Sequence, residues 1–126
     1  MISSKSLPEK YKAVFSDGEH ECHTDTTAQW GGAGAGFKPM ELLEASLAAC
    51  IQTVLRIAAD KRGIPLAGAT VTATLDTSNA AETVFGYKIE LEGDITPEQR
   101  ETLMRAVAGC PVKKALSKPV VFKEVE

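Results

Sequence analysis

Apolar and polar positions divide the chain into a few segments of distinct period. Lys10 to Phe15 alternates loosely and stops at Ser16-Asp17-Gly18, a turn composition, after which Glu19 to Thr24 reads as a returning strand. Thr26 to Lys38 has no period, and its run Trp30-Gly31-Gly32-Ala33-Gly34-Ala35-Gly36 is too flexible for regular structure, so a loop is expected. Pro39 then opens a stretch rich in Ala, Leu and Glu with no further Gly or Pro until Gly63. Proline suits the first helical position, Glu41 and Glu44 suit the positive N-terminal end, and Lys61-Arg62 before Gly63 suits the other, which predicts one long helix. Between Ala45 and Ile51 this helix is apolar or small nearly all round and calls for burial on several sides, in the core or against a second chain. Leu43, Leu47, Cys50, Val54 and Ile57 share one stripe along it.

The second half alternates differently. Thr70 to Asp76 and Thr83 to Leu91 are β-branched alternating runs and predict an antiparallel pair. Thr96, Pro97 and Gln99 form a helix start with Thr as cap, Pro at N1 and Gln at N3, and that helix should run to about Ala108 before Gly109 ends it. Cys110-Pro111 restarts a short helix through Leu116, and Pro119 to Phe122 reads as a final strand. The result is an α+β fold, an antiparallel sheet with a long central buried helix, in a single domain over residues 1–126.

Composition narrows the function classes. With 126 residues, 44% of them apolar and 25% charged, the chain has the profile of a globular domain large enough to hold a core without staples. A net charge of −3 with Lys and Glu interspersed argues against a nucleic-acid face. No apolar run approaches the ~18 residues of a membrane span, and the first ten residues lack the apolar stretch of a signal peptide, so a cytoplasmic protein with no membrane partner is expected.

Three cysteines are an odd number for a disulfide framework, which leaves redox, catalytic or metal-binding roles for the thiols. Cys110 stands at a helix start, where free N–H groups and the helix dipole stabilise a thiolate and Lys113 and Lys114 add positive charge; a plain capping role fits it equally. Cys50, flanked by Ala48, Ala49 and Ile51, reads by itself as a small core residue. Glu41 lies about 13 Å along the helix from Cys50 and on its opposite side, so this carboxylate reaches Cys50 only from a second copy packed antiparallel; its local role is to complete the helix N-terminus at N3. Within His20-Glu21-Cys22-His23 at most two soft ligands face one way on a strand, too few for zinc, and no metal site is expected.

Taken together, Pro39-Met40-Glu41-Leu42-Leu43-Glu44-Ala45-Ser46-Leu47-Ala48-Ala49-Cys50 and Cys110-Pro111-Val112-Lys113-Lys114-Ala115-Leu116-Ser117 resemble the two cysteine signatures of the OsmC-type family. That family includes the osmotically inducible OsmC proteins and the organic hydroperoxide resistance proteins. The resemblance implies an intertwined α+β homodimer with active sites at the dimer interface. It also implies a thiol peroxidase without a cofactor, in which Cys50 attacks the hydroperoxide, becomes a sulfenic acid and is resolved as a disulfide by Cys110. An external dithiol of lipoyl or thioredoxin type then restores the thiols. Hydroperoxide resistance proteins carry a Glu directly after the loop proline and an Arg in the N-terminal region; here Met40 follows Pro39, the carboxylate comes one place later at Glu41, and no Arg precedes Arg56. The chain is thus more similar to the short, general OsmC-like branch. Glu41 of a second copy is the expected activator, and Phe37, Trp30 and Met40 are the expected apolar wall for an organic substrate. The other reading is a redox-sensing or small-molecule-binding dimer of the same fold without efficient turnover.

Overall fold

The computed structural model describes all residues from Met1 to Glu126. They form two compact units, residues 1–43 and 44–126. The first holds an antiparallel sheet of β1 (Ser3–Ser6), β2 (Ala13–Ser16) and β3 (Glu21–Thr24) in that spatial order, with Phe15 opposite Cys22. The β2–β3 turn is tied by Asp17, whose Oδ1 accepts the N–H groups of His20 and Glu19 at 2.7 and 2.8 Å. Those bonds, and the His20 ring beyond them, lower the Asp17 pKa to about 2. The hairpin agrees with the sequence pattern. β1 does not appear in that pattern, because Ser-Ser-Lys-Ser has no apolar side: all four residues are exposed, and the strand is joined to β2 by its backbone ladder.

The Gly-rich loop folds around one buried acid. Asp25 is 2% exposed; its Oδ1 accepts the Thr26 N–H at 2.7 Å, and its Oδ2 accepts those of Ala33 and Ala35, each at 3.1 Å. The glycines permit the close approach. A Cβ on Gly32 would overlap the Thr26 carbonyl oxygen, and one on Gly36 would stand 2.6 Å from that of His23. The loop rejoins the sheet at Phe37, which pairs with Thr24 in an isolated parallel bridge.

Helix α1 (Pro39–Arg62) has the predicted bounds, its first turn carrying Glu41 and its last Lys61 and Arg62. Against the sequence expectation that no segment approaches a membrane span, its most apolar 18 residues average a mean hydropathy of 1.5, and the helix is long and apolar enough to cross one, a test that core helices also pass. In the second unit it buries Leu47, Ile51, Leu55, Ala58 and Ala59. This stripe is rotated from the expected one, and Leu43 and Ile57 are exposed. A helix that is apolar nearly all round gives no pattern from which to choose its core face.

The buried stripe packs with β4 (Leu66–Asp76) and β5 (Val84–Gly93), an antiparallel pair with an irregularity near Leu66 and Gly68. Polar side chains of α1 bond the β4 backbone: Gln52 Nε2 donates to the Ala69 carbonyl at 2.7 Å, Arg56 donates to that of Leu66 at 2.9 Å, and Glu44 Oε1 accepts the Leu75 N–H at 2.9 Å. α2 (Pro97–Ala106) begins with the expected capping box, Thr96 and Gln99 each accepting the other's backbone N–H. A 3-10 turn, Val107–Gly109, joins it to α3 (Pro111–Leu116), and Leu103, Val107 and Cys110 complete the core. The expected strand over Pro119 to Phe122 does not form: Val120, Val121 and Phe122 are exposed, and neither sheet of the chain takes them as a partner. An apolar run is a sufficient signal for a strand only where tertiary packing pairs it with a sheet.

Candidate active site

The second unit brings together two cysteines that lie sixty residues apart in the sequence. Cys50 is half-buried on α1, and Cys110 is fully buried at the N-cap of α3; both are free thiols. Pro111 at N1 lets the chain turn into α3, and Lys114 N–H closes the first turn on the Cys110 carbonyl at 3.0 Å. The Lys113 N–H donates to Cys110 Sγ at 3.5 Å, so the thiol serves as the helix cap. Cys50 packs against the buried cluster that contains Cys110, and that thiol and the Val112 N–H both act on its ionisation.

Burial pushes the Cys50 pKa up first, and the Cys110 thiol pushes it further, against the Val112 N–H, which favours the thiolate. Cys50 therefore rests as a thiol within one chain. The thiol that caps α3 and the thiol in the core wall of α1 thus belong to one packed region of the second unit.

Glu41, Phe37, Trp30 and Met40 all belong to the first unit. Glu41 is at N3 of α1, and its Oε1 accepts the Lys38 N–H at 2.8 Å, the local capping role the sequence allows. With Phe37, Cys22, His23 and residues 34–36 it lines an open depression of about 520 Å³. Trp30 and Met40 do not line it, so the three apolar residues do not assemble into one wall within the chain; they are 71%, 48% and 53% exposed for Trp30, Met40 and Phe37. No three metal-ligating side chains converge anywhere in the structure: His20 is bound to Asp17, and Cys22 contacts only the His23 carbonyl at 3.9 Å.

Sequence reasoning missed the burial of Asp25, the bond of Glu44 to the β4 backbone and the pairing of Lys113 with Tyr87. Asp25 carries a faint signal, an acid directly before a glycine-rich loop full of N–H donors. The other two depend on contacts from α1 and α3 to the sheet that no local spacing encodes.

The architecture is an α+β fold in which one cysteine lies on the long helix and a second caps the short one, both in the same packed core region. The profile of the OsmC-like protein family matches residues 31–125, and the chain belongs to that family. Among solved structures, a protein of Psychrobacter arcticus 273-4 assigned to osmotic stress induction and the detoxification response is 24% identical, with a TM-score of 0.73 over 89% of this chain and 85% of that one. An organic hydroperoxide resistance protein OsmC of Legionella pneumophila is 20% identical, with a TM-score of 0.65 over 93% and 89%. The organic hydroperoxide resistance protein OhrB of Bacillus subtilis is 19% identical, with a TM-score of 0.63 over 93% and 90%. No curated protein matches the chain. At these identities the likeness establishes the fold.

Proposed function

We propose that this protein is a cytoplasmic thiol peroxidase that reduces organic hydroperoxides in oxidative stress defence and acts as a homodimer. The observation that carries the reading is the packing of Cys50 against the buried cluster that holds Cys110, two thiols sixty residues apart in the sequence brought into one region. Cys50 sulfur attacks the terminal oxygen of ROOH; the O–O bond breaks, ROH leaves after taking up a proton, and Cys50 becomes a sulfenic acid. Cys110 sulfur then attacks Cys50 sulfur, the S–O bond breaks, and water departs, leaving the Cys50–Cys110 disulfide. An external dithiol of lipoyl or thioredoxin type reduces that disulfide and is itself oxidised.

Because burial and Cys110 both favour the Cys50 thiol, attack needs a proton acceptor, and Glu41 of a second copy is assigned that task. Ala45, Ala49 and Ile57 present an exposed, largely small apolar face of α1 that suits close packing against the same helix of another copy. Phe37, Trp30 and Met40, all exposed in one chain, would contribute an apolar wall in that assembly.

Stopped-flow consumption of cumene hydroperoxide by the reduced protein tests the reading, with mass analysis of the product. The expected result is rapid consumption, a Cys50–Cys110 disulfide, complete loss in Cys50→Ser, and a dimedone-trappable sulfenic acid on Cys50 in Cys110→Ser. Light scattering should give twice the 13.4 kDa chain mass. Consumption no faster than by free thiol defeats the peroxidase. The second reading, a redox-sensing or small-molecule-binding dimer without turnover, then stands, and the raised Cys50 pKa, which slows attack on any oxidant, favours its small-molecule-binding form.

A further inference from the structure

The second unit contains a cavity of about 310 Å³ that the two thiols do not line. Leu47, Phe85 and Leu116 give it an apolar body, and Thr83, Tyr87 and Lys113 line it as well. The Lys113 ammonium lies 3.2 Å from the Tyr87 hydroxyl and 5.3 Å from the centre of its ring. Lys113 is paired with this phenol and forms no ion pair with a carboxylate of the chain. Cation and phenol together present N–H and O–H donors beside apolar walls, the arrangement that receives an anionic head with an apolar tail attached.

We infer that this cavity is a binding site for a small monocarboxylate with a linear apolar tail, its carboxylate on Lys113 and Tyr87 and its tail against Phe85, Leu47 and Leu116. At about 30 Å³ for each water-sized group, the volume accommodates about ten non-hydrogen atoms, which corresponds to an eight-carbon acid. The Lys113 backbone N–H meanwhile caps Cys110, so the ligand rests against the helix that carries that thiol. The site goes beyond the peroxidase reading and does not depend on it, because binding is read on reduced protein with no peroxide present.

Titration calorimetry with octanoate, octanol and acetate tests the inference directly on the native protein. Octanoate should saturate one site per chain, and octanol, which lacks the charge, and acetate, which lacks the tail, should each bind at least about ten-fold more weakly. Lys113→Met should weaken octanoate about ten-fold and leave octanol unchanged. Leu116→Trp, at a partly exposed position on the cavity wall, should abolish the binding of both by filling the space. Circular dichroism of each variant separates loss of the site from loss of the fold. Absence of saturable octanoate binding at millimolar concentration overturns the site, as does octanol binding as tightly as octanoate. A folded Lys113→Met protein that binds octanoate like the native one does the same.

Discussion

The loop around Asp25 and the core wall around Cys50 each hold an ionisable group wholly or partly away from water, and treat it in opposite ways. Asp25 is almost fully buried and receives three backbone N–H bonds, from Thr26, Ala33 and Ala35. The Ala35 bond is the strongest influence, and with the other two and the Lys12 charge it holds the carboxyl below its ordinary value in spite of burial. At Cys50 burial acts first and the neighbouring Cys110 thiol adds to it, the Val112 N–H alone opposing them, so the pKa rises. The number of donors aimed at a buried atom, rather than the depth of burial, decides whether its anion survives. In the first unit the charge is structural and permanent; in the second it must be made at the moment of reaction.

The largest effect that follows concerns Cys50 reactivity. With the thiol held above its ordinary value of 9.0, the thiolate fraction rises tenfold per pH unit across the neutral range. Alkylation of Cys50 by iodoacetamide, followed by peptide mass analysis, should therefore accelerate about a thousandfold between pH 6 and 9 without a plateau. A plateau below neutrality would show a neighbouring cation holding the thiolate, and the contrast with Asp25 would disappear.

Next in size is the backbone approach that lets the loop reach Asp25. Gly32→Ala puts a methyl group into the Thr26 carbonyl and beside the Asp25 carboxylate, and should cost about 3 kcal/mol in urea unfolding. Gly109, in the turn before Cys110, has open space around an added Cβ, so Gly109→Ala should stay within about 0.5 kcal/mol of the native protein. Equal effects of the two substitutions would mean that the loop is not locked on the carboxylate.

What the sequence discloses divides along similar lines. Helix α1 and the α2 capping box are legible because their signals are local: Pro39 at one end, Lys61-Arg62-Gly63 at the other, Thr96 three residues before Gln99. The face that α1 buries is not legible, since apolar residues surround it, and the core takes Ile51 and Leu55 where Leu43 and Ile57 fitted the pattern as well. β1 and the tail fail in opposite senses. Ser3–Ser6 pairs through backbone alone and has no apolar signature, whereas Val120 to Phe122 has the signature and joins neither sheet. Neither cysteine by itself announces the dithiol: Cys50 reads as core and Cys110 as a cap, and both descriptions remain true of them locally. Family resemblance pointed to the pair; their place in one region comes from the packing of α1 with the 3-10 turn and α3.

The smallest effect sharpens the comparison from the carboxylate side. A group whose folded pKa lies below its unfolded one contributes stability above the unfolded value and loses it as pH falls through the folded value. For Asp25, that contribution is complete above the ordinary carboxyl pKa of 3.8 and disappears below it, as protonation removes an acceptor of three backbone N–H groups. Amide hydrogen exchange at Ala33 and Ala35, corrected for intrinsic rates, should be uniformly slow from neutral pH down to about pH 5 and lose protection at lower pH. In Asp25→Asn the same amides should exchange faster at neutral pH and show no acid transition, because the neutral amide keeps an oxygen acceptor but has no charge to lose. Acid-dependent exchange that persists in Asp25→Asn would assign the transition to another carboxylate and leave the loop's order to its glycines.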